Sequence, residues 1–334
     1  MLEMQETWKQ FTSQDAQTQE TKLKEALKRA TVSLLYKKLW KNSGFNVEAF
    51  KSLNDLNQIP FLSQKELFET TQAQKNKVCL SPVSHWFLCS EPNEPHEWFP
   101  LSSEDFLAIA PMLTRLSQTA GLRKGDVVLA VVETPPRISS FIPYLWSNAA
   151  DCGLEFIVGA LDWYDTLGMS WINFIQKRRP TAIFASTSNA KALAQKIAAT
   201  KTPVENALSE LRVGVFFGNQ METDMVKGLE PYMNLESFEV YSPTEHMTFN
   251  MDCRSHSGIH IWLDTCIPEV LSVGQKETQL LSKTQQGVEG ELVLTNFSKA
   301  LPLVRYKTGK FLRVEGVGEC SCGCNHPKVK FLKK

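Results

Sequence analysis

Gly290-Glu291-Leu292-Val293-Leu294-Thr295, then Leu301-Pro302-Leu303-Val304-Arg305-Tyr306-Lys307-Thr308-Gly309-Lys310, then Cys320-Ser321-Cys322-Gly323-Cys324-Asn325-His326-Pro327 form the run on which the fold reading turns. From Phe249 onward, strand-like segments dominate, punctuated by Gly258, Gly274, Gly287, Gly290 and Gly309. This predicts a β-rich subdomain over residues 250–334. Upstream, over 101–249, short apolar runs at 126–132, 155–159, 182–185, 213–217 and 237–240 alternate with helical stretches at 103–121, 138–150, 163–177, 189–199 and 222–232. Apolar strands separated by helices predict an α/β architecture of mostly parallel sheets flanked by helices. No internal repeat interrupts this pattern.

The bulk properties narrow the function classes. The chain has 334 residues, enough for a substantial core, and its 43% hydrophobic and 22% charged content is that of a globular protein. Thirty-six basic residues balance 36 acidic ones. That balance argues against nucleic acid and against a membrane surface as partners. No apolar run reaches the ~18–20 residues needed to span a bilayer, and the opening stretch 1–24 has no apolar signal core. A cytoplasmic location is expected. In such a reducing compartment the eight cysteines point to metal binding rather than a disulfide framework. Cys79, Cys89, Cys152 and Cys266 lie outside any motif and read as small buried hydrophobes.

Residues 1–100 are expected to hold the N-terminal helices. Leu23, Ala26, Leu27, Ala30, Leu34, Leu35 and Leu39 recur at helical spacing, and Asn42–Phe45 reads as the stop. Ile59-Pro60 precedes a helix start at which Ser63 and Glu66 have the spacing of a capping box.

The closing run resembles the end of the large domain of phenylacetate–CoA ligase-like enzymes, which belong to the AMP-forming acyl/aryl–CoA synthetases. That family carries GELVxT, then PxxRYxTGD, then CxCGxxHP. Ile59–Leu67 is similar to its IPxxxKxxL segment. Gly218-Asn219-Gln220 and Tyr241-Ser242-Pro243-Thr244-Glu245 stand where the family has GAEP and YGxTE, each after an apolar strand. Ligands of open α/β sheets bind beyond the carboxyl ends of strands. The resemblance therefore implies the adenylate-forming large-domain fold and a cleft bordered by Gly218, Asn219, Gln220, Tyr241, Ser242, Thr244, Glu245 and His246. It implies phosphate contact for Thr244, Mg²⁺ for Glu245, and a place near phosphate for Arg305. A strand-end turn with a capping Thr–Glu pair is the plainer alternative.

The resemblance also implies a structural zinc held by Cys253, His260, Cys320 and Cys322. Three thiolates and an imidazole make a closed four-ligand set with no open position for catalysis. Cys324, His256 and His326 compete for the same role.

The departures from the family bear on activity. Its glycine-rich phosphate loop is replaced by Cys89-Ser90-Glu91-Pro92-Asn93-Glu94-Pro95-His96-Glu97. Three carboxylates stand where phosphate would sit, each contact costing roughly a few kcal/mol at ~4 Å. Lys310 replaces the ribose-gripping Asp, and an ammonium only donates. The chain ends near where the hinge to the family's C-terminal lid would begin, so the lid is expected to be absent. ATP/Mg²⁺ and CoA are accordingly doubtful cofactors. The primary expectation is a divergent homologue without standard ATP-dependent ligase activity, binding a small carboxylate, acyl or nucleotide-like ligand or serving as a partner subunit. The alternatives are an active acid–thiol ligase with its lid supplied in trans, and a structural interaction protein with a vestigial cleft.

Overall fold

The structure, a computed structural model, describes residues 6–89, 97–132, 142–149, 152–162, 171–199, 209–217, 235–243 and 245–332. Helix α1 (Ser13–Ala30) starts at a capping box in which Thr12 and Asp15 satisfy each other's backbone N–H groups. Its Leu23, Ala26, Leu27 and Ala30 are fully buried. Helix α2 (Leu34–Ser43) stops at a left-handed Gly44, as the Asn42–Phe45 signal predicts. Helix α3 (Gln64–Val78) carries the expected Ser63–Glu66 capping box. Strands β1 (His85–Cys89) and β2 (Glu97–Leu101) pair antiparallel, with Cys89 opposite Glu97. Residues 90–96, which hold most of the stretch matched to the family's phosphate loop, lie outside the described residues.

The helix expected over 103–121 is two helices, α4 (Ser103–Leu107) and α5 (Ala110–Ala120). Pro111, in the first turn of α5, lacks the N–H that a continuous helix would use.

By contacts the chain forms two compact units. One comprises residues 1–107, 244–248 and 260–334, the other 108–243 and 249–259. In the second, β3 (Val127–Val132), α6 (Ile142–Ala149), β4 (Glu155–Ala160), α7 (Trp171–Arg178), β5 (Ala182–Ser186), α8 (Thr187–Ala199), β6 (Val213–Phe217) and β7 (Glu236–Tyr241) follow in order. The strands align parallel as β4-β3-β5-β6-β7, and β8 (Asn250–Asp252) joins β7 antiparallel. Leu129, Val131, Ile183, Phe216 and the helical Ile175 and Leu193 form its core. The helix expected over 222–232 lies outside the described residues, as does 163–170 of the one expected over 163–177.

The first unit continues after β9 (Ile259–His260) with β10 (Cys266–Ser272), β11 (Gln279–Leu280), β12 (Glu289–Asn296), β13 (Tyr306–Gly316) and β14 (Lys328–Leu332). These five form an antiparallel sheet, β11-β10-β12-β13-β14. Gly290 sits so close to β10 that a Cβ would lie 2.4 Å from the Leu271 carbonyl oxygen. Helical and β-rich regions of this unit share one core, where Leu23, Leu27, Tyr36 and Trp40 meet Ile267, Leu303 and Tyr306. The Tyr36 hydroxyl fastens them, donating to the Pro302 carbonyl at 2.7 Å and accepting from Val304 N–H at 2.8 Å. Among the described residues no helix is long and apolar enough to cross a membrane.

Candidate functional site

The Cys/His set is the most complete constellation. The donor atoms of Cys253, His260, Cys320 and Cys322 all lie within 4.8 Å of one another. The first three side chains are buried and Cys322 is half-buried. Cys322 Sγ lies 3.5 Å from His260 Nε2. Bonds of about 2.3 Å to sulfur and 2.0–2.1 Å to nitrogen place neighbouring donors of a tetrahedral metal roughly 3.5 Å apart, so the spacing fits such an ion. His260 Nδ1 lies 2.8 Å from the His326 carbonyl oxygen. A carbonyl only accepts, so Nδ1 carries the proton and Nε2 offers its lone pair toward the thiols.

Local turns present the sulfurs. Gly323 N–H donates to the Cys320 carbonyl and Cys320 N–H to the Cys324 carbonyl, both at 2.9 Å. His256 N–H closes a comparable turn on the Cys253 carbonyl at 2.7 Å.

The competing ligands are engaged elsewhere. His326 donates from Nε2 to the Trp8 carbonyl at 2.7 Å and accepts at Nδ1 from Leu263 N–H at 3.0 Å. Both ring nitrogens are thereby used. His256 lies between Asp252, at 2.9 Å, and Glu236, at 3.4 Å. The Asp252 carboxylate holds its imidazole above the usual range. Cys324 is buried and takes no part in the four-donor group. Of the cysteines outside motifs, Cys266 is fully buried, which pushes its thiol up to about 12. Cys79 is half-buried and pushed up to about 11 by the same cause.

The expected cleft residues are only partly described. Gly218, Asn219, Gln220 and Thr244 lie outside the described residues. Tyr241 closes β7 and is buried, and Ser242 is half-buried. Glu245 accepts from the Tyr306 hydroxyl at 3.3 Å. His246 is 1% exposed, its ring tilted against Tyr306 at 5.8 Å and its carbonyl accepting from Asn296 Nδ2 at 3.1 Å. Burial pushes its imidazole down to about 3, and the Leu294 carbonyl offsets only part of that. A cavity of about 430 Å³ is lined by Leu53, Leu56, Asn57, Thr278, Lys283 and Val288 among others; among the described residues, no expected cleft residue borders it.

Arg305 is buried at φ 50°. Its Nε donates to both Glu269 oxygens at 3.1–3.2 Å, its Nη1 to the Ile59 carbonyl at 2.5 Å, and its Nη2 to Asn57 and Thr278 at 2.8 and 2.7 Å. The guanidinium also lies 4.3 Å over the Phe61 ring. Sequence reasoning missed Glu269. The signal was a lone carboxylate inside the apolar strand Cys266–Leu271, which burial permits only with a partner.

Thr308, Gly309 and Lys310 form a bulge in β13 opposite β12. Thr308 Oγ1 donates to the Leu292 carbonyl at 2.8 Å, and Gly309 N–H donates to Glu291 at 3.1 Å. Gly309 has φ 69°, which glycine adopts without a Cβ penalty. Lys310 follows, half-buried.

No family model matches the chain. It is 25% identical over 315 residues to a phenylacetate-coenzyme A ligase of Thermus thermophilus, an alignment covering 88% of this chain and 64% of the relative. The chain thus spans just under two thirds of that ligase's length. A 2-hydroxyisobutyryl-CoA ligase, solved in the postadenylation state, superposes with a TM-score of 0.81 at 19% identity, covering 97% of this chain and 68% of that one. The Vibrio cholerae adenylation domain AlmE, in complex with glycyl-adenosine-5'-phosphate, superposes with a TM-score of 0.53 at 14% identity over 75% of this chain and 47% of that one. The chain is a homologue of phenylacetate–coenzyme A ligase and has the α/β fold of adenylate-forming CoA ligases.

Proposed function

We propose that this protein keeps the body of an adenylate-forming CoA ligase around a structural zinc and binds a small carboxylate or acyl ligand without standard ATP-dependent adenylation. The observation that carries this reading is Lys310. The β13 bulge retains Thr308 and Gly309 with their hydrogen bonds, yet the residue it presents is an ammonium where the resembled motif ends in a carboxylate. A donor-only group cannot accept from ribose hydroxyls. The charge of Glu91, Glu94 and Glu97 works in the same direction, against a bound triphosphate. Arg305 is engaged by Glu269, Asn57, Thr278 and Ile59, which occupy most of its N–H donors inside the protein. In this reading zinc takes Cys253, His260, Cys320 and Cys322, and the soft thiolate-rich set favours it over Mg²⁺. Zinc supplies cross-linking only, because four protein ligands leave it no open position.

The identity to a curated ligase favours a second reading, an active acid–thiol ligase. ATP–pyrophosphate exchange against a panel of aromatic and short-chain acids separates the two. The expected result is no acid-dependent exchange, together with a rise in melting temperature from at least one acid alone. Acid-dependent exchange would establish the active ligase instead. Neither exchange nor a thermal shift would leave a structural interaction protein.

A further inference from the structure

We infer that residues 6–12 form a strap whose attachment depends on the metal. This rests on the zinc reading above and extends it to a part of the chain that holds no donor. The strap is fastened to the turn that carries two of the thiolates. Gln10 Nε2 donates to the Gly323 carbonyl at 2.6 Å. Asn325 clamps Phe11 from both sides, accepting from its N–H at 2.6 Å and donating to its carbonyl at 3.1 Å. Asn325 N–H donates to the Lys9 carbonyl at 2.9 Å. His326 Nε2–H donates to the Trp8 carbonyl at 2.7 Å. Two ring contacts accompany these bonds, Trp8 edge-on to Trp262 at 5.5 Å and Phe11 against His326 at 5.9 Å.

The residues the strap grips by hydrogen bonds, Gly323, Asn325 and His326, all lie within four positions after Cys322 in the chain. The link to the metal donors is also direct. The His326 backbone carbonyl accepts the His260 Nδ1 proton, while its ring reaches Trp8. Among the described residues, two backbone hydrogen bonds close the 320–324 turn, which passes through a left-handed Gly323 at φ 81°. A bound zinc fixes that turn. Without it the thiols carry no common ligand, the turn gains freedom, and the strap loses the fixed geometry its individually modest hydrogen bonds need. Loss of the metal therefore frees the strap and uncovers Trp262, which is 1% exposed in the closed form. Linkage makes the coupling reciprocal: what loosens the strap weakens zinc binding by the same factor.

Hydrogen–deuterium exchange of the full chain, read beside elemental analysis of its zinc content, tests this. The zinc-loaded protein should protect the amides of residues 8–12, and chelation should speed their exchange at least tenfold while β5 keeps its protection. Asn325→Ala should release the strap with zinc still bound and lower zinc affinity about tenfold, as for other groups that position metal ligands. The milder Gln10→Ala should shift both in the same direction. Loss of zinc with unchanged exchange over 8–12 overturns the inference. A protein that takes up no zinc overturns the metal reading itself, which elemental analysis reports independently of exchange.

Discussion

The Cys320–His326 turn and the Thr308–Lys310 bulge are neighbouring stretches of the same antiparallel unit, and they have kept different things. The turn supplies two thiols of the four-donor Cys/His group and the His326 carbonyl that holds the proton of His260 on Nδ1. The bulge keeps its backbone, with a left-handed Gly309 and the Thr308 anchor, and presents a lysine. Groups that hold the fold together match the resembled motif, whereas Lys310 carries the charge opposite to that motif's closing carboxylate. Arg305 belongs with the first class, since all three of its side-chain nitrogens donate inside the protein.

That contrast yields predictions with graded effects. The largest concerns Arg305. Glu269→Ala leaves a guanidinium buried without its counter-ion, which costs about 3–5 kcal/mol, and urea unfolding should show this loss or a failure to fold. Removal of the proposed zinc comes next. With free zinc about 1,000-fold above its dissociation constant, chelation should lower stability by ~4 kcal/mol, visible as a fall in melting temperature restored by zinc.

His246 gives a pH signature. Its folded-state pKa of about 3 lies below the ordinary ~6.5 of an unfolded chain. Between these values the unfolded state binds the extra proton. Stability contributed by the neutral ring is therefore complete above pH ~6.5 and falls by up to about 1.4 kcal/mol per pH unit as the pH drops toward 3. Denaturant midpoints measured from pH 7 to 4.5 should show this slope, and His246→Leu should flatten it. The smallest effect on stability is expected at the bulge. Lys310→Asp should change unfolding free energy by no more than ~0.5 kcal/mol while tightening MgATP binding at least tenfold, the worth of about one charge-assisted hydrogen bond. A large stability loss on that substitution would move Lys310 into the scaffold class and remove the contrast.

Much of this was legible in the chain. Most of the parallel strands were plain as short, largely apolar runs; residues 213–217 match β6 end to end. The Ser63–Glu66 cap was legible from spacing alone. The Cys253, His260, Cys320 and Cys322 set was legible through the family resemblance, and the structure brings these four donors together. Other features were hidden by their non-local character. The N-terminal helices share a core with β10 and β13, a pairing that no local periodicity encodes. Glu269 reads as a solvent-facing strand residue until its partner is known. His326 reads as a ligand candidate, and only its bonds to Trp8 and Leu263 reveal a positioning role. The break between α4 and α5 was signalled by Pro111 but masked by apolar spacing that continues across it.

The central claim is that a ligase body has been preserved while its grip on nucleotide has been lost. Calorimetric titration of the zinc-loaded protein with MgATP tests it most directly. The expected result is no saturable heat up to about 1 mM ATP, corresponding to binding weaker than roughly −4 kcal/mol. A micromolar dissociation constant would overturn this reading and make the protein a nucleotide-binding member of its fold despite Lys310 and the acidic 91–97 segment.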